Sequence, residues 1–207
     1  CLGQEPQDLK YRGANTEVVI GDGNTLREFV TINRATEEGE QTRLGDRNLL
    51  MAYCHLGHNC LLGNGIVMSN AIQVAGHVVI EDRAVIGGCL GIHQFVHIGG
   101  LAMVGGMTRV IRDIPPYSMV EGHPGRLRGL NRVGLQRSGL ADRHEGHELK
   151  QLKEIWNLLY RSDVVMAEAL VQARSHELLP AAAHLCSFLE ASTAPGRRGP
   201  TPALSHR

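Results

Sequence analysis

Aromatic residues are scarce in this chain: one Trp, four Tyr and three Phe stand among 207 residues. A core anchored on large rings is therefore excluded, and an architecture built from aliphatics is required. Neither sign of charge is in excess, because 21 Lys and Arg oppose 21 Asp and Glu. That balance argues against a chain-wide nucleic-acid or membrane-surface binder. The opening residues, CLGQEPQDLK, contain no apolar signal segment. The five cysteines (Cys1, Cys54, Cys60, Cys89 and Cys186) are odd in number and lack CxxC spacing. They read as small hydrophobes in a reducing compartment, and the expected location is cytoplasmic. Cys1 in place of an initiating Met reads as an incomplete or processed start. Residues 84–108 hold no Asp, Glu, Lys or Arg, yet their seven Gly with His93, Gln94 and His97 are too polar for lipid. No membrane insertion is expected.

What is present in quantity is glycine, at 25 residues, within a chain that is 43% apolar. That apolar content excludes general disorder. Counting in sixes from Ile20 gives Leu26 and Ile32, a break at Glu38, and then an unbroken aliphatic run. Leu44, Leu50, Leu56, Leu62, Met68, Val74, Ile80, Ile86, Ile92, Ile98, Val104 and Val110 all fall on the count. With aliphatics at roughly 30% of positions, chance produces such a run about once in a million. A period of six is neither helical nor simple strand alternation. It is the hexapeptide repeat of a parallel β-helix, one strand and turn per hexad and three hexads per coil. Such helices coil left-handed, against the usual crossover rule. The residues two places before each aliphatic are mostly compact, as a tight corner demands. Roughly five coils fit between Val18 and Ile114, and the charged break ATEEGEQ reads as a loop pushed out of one corner.

The repeat ends at Asp113-Ile114-Pro115-Pro116-Tyr117, where the prolines cannot donate to a ladder. Residues 1–117 are read as the β-helix and 118–140 as a connector. From Asp142 the period becomes helical, with Leu149, Leu152, Ile155, Trp156, Leu159 and Tyr160 forming a stripe. Residues 141–193 are read as an α-helical C-terminal domain that covers the open end of the solenoid. Residues 194–207, APGRRGPTPALSHR, are expected to be disordered.

Six of the eleven His lie in or beside the coils: His55, His58, His77, His93, His97 and His123. His55 and His58 flank inward Leu56, so both are able to face outward. The spacings put His58, His77 and His93 near one edge of successive coils. A lone outward His is normally a solvated surface residue, whereas three aligned favour a polar site. The spacing fits no tetrahedral zinc set, so acid–base chemistry is the better functional reading. The amide of Gly76, beside His77, is placed to donate to an oxyanion. Asp8-Leu9-Lys10-Tyr11 precedes the first clear hexad and reads equally as a solvated lead-in. Arg126, Arg128, Arg132 and Arg137 form a local positive cluster, suited to phosphates or an acidic partner, or simply a solvated basic loop.

Seven segments carry a resemblance: QDLKY (7–11), NLLMAYCHLGHNC (48–60), VAGHV (74–78), AVIGGCLGIHQF (84–95), AMVGG (102–106), DIPPY (113–117) and NRVGLQRSG (131–139). In this order they resemble the UDP-N-acetylglucosamine O-acyltransferases, which begin lipid A synthesis. The hexads alone would indicate only the wider acyl- and acetyltransferase superfamily. The resemblance implies a left-handed β-helix with a C-terminal helical domain, assembled as a homotrimer with active sites between subunits. It implies transfer of an (R)-3-hydroxyacyl chain from acyl carrier protein to the 3-hydroxyl of UDP-N-acetylglucosamine. His58 matches the general base and the Gly76 amide the oxyanion donor. Asp8, Lys10 and His77 match groups around the sugar and phosphates. His55, His93, Gln94, Asn131 and Arg137 match substrate-contacting positions. Gly106 matches the position that measures acyl length, where a Gly implies a longer chain. No metal or other cofactor is implied. The arginine cluster suits an acidic acyl carrier protein. Three departures stand out: Asn59 where the family often has Asp after the base, Ser138 where it has a second Arg, and the absence of several coils that precede QDLKY in the family.

Two other readings remain at this point. One is a hexapeptide acyltransferase using an N-acyl acceptor or acetyl-CoA, against which DLKY and NxxGLxRxG speak. The other is a non-catalytic solenoid whose His residues are surface decoration.

Overall fold

The computed structural model describes residues 1–204. Its N-terminal part is a left-handed parallel β-helix of three sheets. The first sheet stacks Leu2–Gln4, Thr31–Asn33, His55–Leu56, Gln73–Val74, Gly91–Ile92 and Arg109–Val110. The second stacks Glu17–Ile20, Gln41–Leu44, Leu61–Leu62, Val79–Ile80 and His97–Ile98. The third begins with Thr25–Leu26, Leu49–Leu50, Val67–Met68, Val85–Ile86 and Met103–Val104. Each hexad supplies one strand, so the chain visits the faces in turn and returns in parallel after one coil.

Every aliphatic from Leu44 to Val110 on the count of six is buried, none exceeding 5% exposure. Burying a column of such side chains contributes about 1.5–3 kcal/mol each, which replaces the missing aromatic core. The corner positions two residues earlier are buried too, but they are not all small: Ile66, Ile72 and Leu90 fit there. Most coils advance by 18 residues, as Leu44 pairs with Leu62. The pairs that span the charged break advance by 24, as Ile20 pairs with Leu44. The difference is one hexad, residues 35–40, extruded as the expected loop. Because the extrusion has six residues, it leaves the count in phase.

Two parts of the sequence reading are corrected. The stretch read as a connector continues the third sheet: Ser118–Glu121 pairs in parallel with Met103–Val104, and Arg126–Leu130 turns back antiparallel. The tail read as disordered is ordered through Leu204, while residues 205–207 lie outside the described residues. Thr201 donates its amide to the Asp113 carbonyl, and Leu127 donates to the Pro202 carbonyl. Arg197 grips both carboxylate oxygens of buried Asp113 at 2.8 and 2.7 Å, and the Ser192 hydroxyl adds a third bond at 2.7 Å. Composition suggested disorder, but a paired buried carboxylate outweighs it locally.

The helices are α1 (Arg132–Arg137), α2 (His147–Tyr160), α3 (Met166–Arg174) and α4 (Pro180–Ser192). Leu152, Ile155, Trp156 and Leu159 of α2 pack inward against α3 and α4. Helix α4 has no side-chain cap of its own. Buried Glu148 supplies one instead, accepting the Ala181 amide at 3.0 Å. No helix among the described residues is long and apolar enough to cross a membrane.

Helix α4 is tied to the solenoid by Glu81. Its carboxylate lies 3.0 Å from His184 Nε2 and 2.9 Å from His97 Nε2, and accepts the Gly100 amide at 2.6 Å. Burial alone would raise this carboxyl, but the bonds from His184 and His97 and the Gly100 amide hold it at about 2. A depressed folded-state value means that the bonds stabilise the fold above the unfolded value near 4.5 and fade as pH falls towards 2. Glu81→Gln is therefore expected to cost about 1–2 kcal/mol at neutral pH, allowing for solvent screening. Thermal melts of the two proteins should converge as pH is lowered through that window. A constant difference at all pH values would exclude the ionised carboxylate as the cause.

Candidate active site

Leu56, Val74 and Ile92 are in register on the first face. The turn that follows each strand forms the corner between the first and second faces. Counting forward two residues stacks His58, Gly76 and Gln94 in one column. Counting three stacks Asn59, His77 and Phe95 in the next. The residues of this second column have φ of 60°, 60° and 65°. That left-handed conformation is unusual for residues with a Cβ, and Asn tolerates it best. It tips the side chains out of the coil and over the neighbouring column.

The rings make a continuous stack. His58 meets His77 edge-on at 5.0 Å, and His77 lies flat on Phe95 at 4.7 Å. His93 stands at the same corner but one residue before the first column, with Nδ1 3.1 Å from the Gln94 carbonyl. The third ring of the stack is thus Phe95, not His93. The reason is register: 18 residues beyond His77 is Phe95, while His93 is 16 beyond.

His58 is held by Asn59. The Asn59 Oδ1 accepts the Thr36 amide at 3.2 Å and the Thr36 hydroxyl at 3.0 Å. A backbone N–H only donates, so this end of the side chain is the oxygen. His58 Nδ1 lies 2.9 Å from the same oxygen and must therefore carry its proton. In the neutral ring Nε2 is left as a free acceptor, the state a general base needs. That edge of the ring lies directly over Gly76: a Cβ there would come within 2.5 Å of Nε2 and of Cε1. Only a glycine admits the imidazole in this position.

Gly76 is buried, and its amide finds no acceptor among the described residues. At the next corner the equivalent amides are satisfied by the following coil. Asp46 and Asn64 donate to Asn64 Oδ1 and Asp82 Oδ1 at 2.7 and 2.8 Å. Gln94, which follows Gly76 in its column, makes no such bond. An unpaired N–H beside a free imidazole nitrogen can receive a developing oxyanion.

Other candidates fall around this corner. Burial, followed by the charge of His58, lowers the His77 pKa, and the charges of Glu40 and Asp8 oppose that shift. Asp8 accepts the Lys10 amide at 2.9 Å, and Lys10 itself is exposed. Burial lowers the His55 pKa. Its Nδ1 meets the Thr31 hydroxyl at 2.8 Å, beside a cleft of about 550 Å³ lined also by Gln4, Asn33 and Arg34.

Three candidates are elsewhere. Gly106 follows Val104 and sits at the corner between the third and first faces. Asn131 caps α1, accepting the Gly134 amide at 3.0 Å and donating to the Leu101 carbonyl at 2.8 Å. It is thus near the corner between the second and third faces, and both ends of its amide are engaged. Arg137 is exposed at the end of α1. One chain therefore does not bring these three together with His58. Sequence reasoning passed over Thr36, Glu40 and Phe95. The multiple-of-18 spacing would have found Phe95, but nothing local pointed to the extruded loop. Among the described residues no group of three or more His, Cys, Asp or Glu could hold a metal ion.

Comparison with known proteins adds the family context. A sequence model described as UDP N-acetylglucosamine O-acyltransferase, Domain 2, matches residues 113–201. The acyl-(acyl-carrier-protein) UDP-N-acetylglucosamine O-acyltransferase of Synechocystis sp. is 52% identical over 202 residues, which cover 97% of this chain and 72% of that protein. The enzyme of the same name from Gloeothece citriformis is 51% identical over equal coverage. The crystal structure of the Arabidopsis UDP-N-acetylglucosamine acyltransferase superposes with a TM-score of 0.90 at 36% identity, over 96% of this chain and 70% of that one.

Proposed function

Because this chain belongs to the UDP-N-acetylglucosamine O-acyltransferase family, we propose that it moves an (R)-3-hydroxyacyl chain from acyl carrier protein to the 3-hydroxyl of UDP-N-acetylglucosamine. The observation that carries the mechanism is the free Nε2 of His58 above the unpaired amide of Gly76. Nε2 takes the proton of the 3-hydroxyl as that oxygen attacks the thioester carbonyl. The carbonyl oxygen becomes an oxyanion and is stabilised by the Gly76 N–H. Collapse expels the carrier's thiolate, and His58 returns the proton to it. The products are the 3-O-acyl sugar nucleotide and the free carrier thiol, so atoms and protons balance without a cofactor.

Asp8, Lys10 and His77 are proposed to surround the sugar and phosphates, with His55, His93 and Gln94 completing the near wall. Gly106, Asn131 and Arg137 lie at other corners of the same prism. Their position fits a homotrimer in which corners of neighbouring subunits face each other across the clefts, so that one subunit's base meets its neighbour's acyl-length and substrate-contacting residues. The exposed arginines of the hairpin and α1 suit an acidic carrier protein. Two soluble substrates fit a cytoplasmic enzyme.

The test is an acyl-transfer assay with UDP-N-acetylglucosamine and carrier proteins bearing 3-hydroxyacyl chains of graded length, with oligomer mass measured on the same sample. Turnover by a trimer, with the open Gly106 position favouring longer chains, is expected. Preference for acetyl-CoA or for an N-acyl acceptor would replace this reading with that of a different hexapeptide acyltransferase.

A further inference from the structure

We propose that Glu40 is a positioning residue for His58, acting through the side-chain amide of Asn59; this rests on the reading of His58 as the base. Asn59 Nδ2 donates to Glu40 Oε2 at 2.6 Å, while Oδ1 of the same amide accepts from His58 Nδ1 at 2.9 Å. The orientation follows from the Thr36 donors, which leave no choice as to which end is oxygen. Asn59 cannot carry the charge that an Asp would place beside an imidazolium. A carboxylate accepting from Nδ2 polarises the amide and makes Oδ1 a stronger acceptor. The negative charge is then delivered one residue removed.

The extruded hexad makes this possible. An 18-residue coil would turn the corner without residues 35–40, and no carboxylate would hang over Asn59. The loop fixes Glu40 from both sides: the Glu37 amide donates to Oε2 at 3.2 Å, and the Glu40 carbonyl accepts the Glu17 amide at 3.2 Å. His77 meets the His58 ring edge-on and itself feels the charges of Asp8 and Glu40, while Glu40 reaches His58 through Asn59. Of Asp8, Glu40 and His77, Glu40 alone is hydrogen-bonded into the support of His58. Glu40 is exposed, so solvent attenuates its charge and the expected effect is moderate.

The experiment measures kcat/KM against pH for the wild type, Glu40→Gln, and Glu40→Gln combined with Asn59→Asp, with thermal melts and His58→Ala as controls. Glu40→Gln should lower kcat by about tenfold with little change in KM, the size of one charge-assisted hydrogen bond. The acid limb of its profile should move to lower pH, because an imidazolium without a nearby anion loses its proton more readily. The double variant should recover to within about threefold of wild type, since its new aspartate supplies the charge directly and its new glutamine amide can donate to that carboxylate. An unchanged rate and profile in Glu40→Gln would overturn the proposal. So would a double variant as impaired as the single one, since that marks a purely structural loop. Full turnover by His58→Ala would instead remove the base assignment itself.

Discussion

Replacing His58 with alanine is expected to lower kcat/KM by about 10²–10⁴-fold while leaving the fold intact. In energy this is about 3–5.5 kcal/mol of lost transition-state stabilisation. The argument for a purely chemical loss is geometric. The imidazole lies outside the aliphatic column, at a corner, and only half-buried. Its one hydrogen bond among the described residues is to Asn59 Oδ1, an oxygen that keeps both Thr36 donors when the ring is gone. No core atom is removed, so melting temperature should change little. The substrate hydroxyl, by contrast, loses the acceptor for its proton, and among the described residues no other free imidazole nitrogen lies over an unpaired amide at this corner. His77 is the nearest substitute, but its ring sits edge-on to His58 and flat on Phe95. Acyl transfer measured beside circular-dichroism melts separates the two effects. A rate within a few-fold of wild type would mean that the proton leaves by another route, and the solenoid would then need a different catalytic corner.

Much of the fold was legible because the repeat is short-range. One inward residue per hexad is enough to read face, coil and column, and the run from Leu44 to Val110 is the buried interior itself. The extrusion at residues 35–40 showed only as a charged hexad, since six extra residues do not disturb a count in sixes. What could not be read depends on pairs far apart in the chain. Arg197 meets Asp113 across 84 residues, and no local pattern in a Pro-, Gly- and Arg-rich tail reveals it. The hairpin after the prolines pairs with the sheet through backbone groups that sequence does not distinguish from a connector's. The candidate site was legible in part. His58, Gly76 and Gln94 are spaced by one coil, so their column was present in the numbering. Reading the His residues by eye admitted His93 in place of Phe95, because nearness to an edge is weaker than the 18-residue register. Family resemblance named Gly106 and Asn131 as site residues, but only the coil geometry puts them at separate corners.

Gly76→Ala tests the column directly and is expected to cost about 10²-fold in turnover, with a small effect on stability. The backbone at Gly76 does not require a glycine for its conformation, because its φ is not positive. The added Cβ instead meets His58, at 2.5 Å from Nε2 and Cε1 and 3.0 Å from Cδ2. A side chain can swing aside where backbone cannot, so the imidazole should yield by about an ångström and the coil should survive. The contrast is Gly57, where a Cβ would strike the backbone of Ala75, Gly76 and Val74 at 2.9 Å. No flexible group relieves that contact, and Gly57→Ala should lower stability rather than turnover per folded molecule. The alanine at 76 also retains the amide N–H. Loss of activity in Gly76→Ala therefore reports displacement of the base from the reacting hydroxyl, and not removal of the oxyanion donor. The two substitutions, on adjacent columns of the same corner, should thus separate in opposite directions when melting temperature and kcat are measured together. If Gly76→Ala melts early and keeps full turnover, the imidazole does not work from above this glycine. Since Nδ1 already donates to Asn59 Oδ1, the acceptor of the hydroxyl proton must then be sought on a group other than His58.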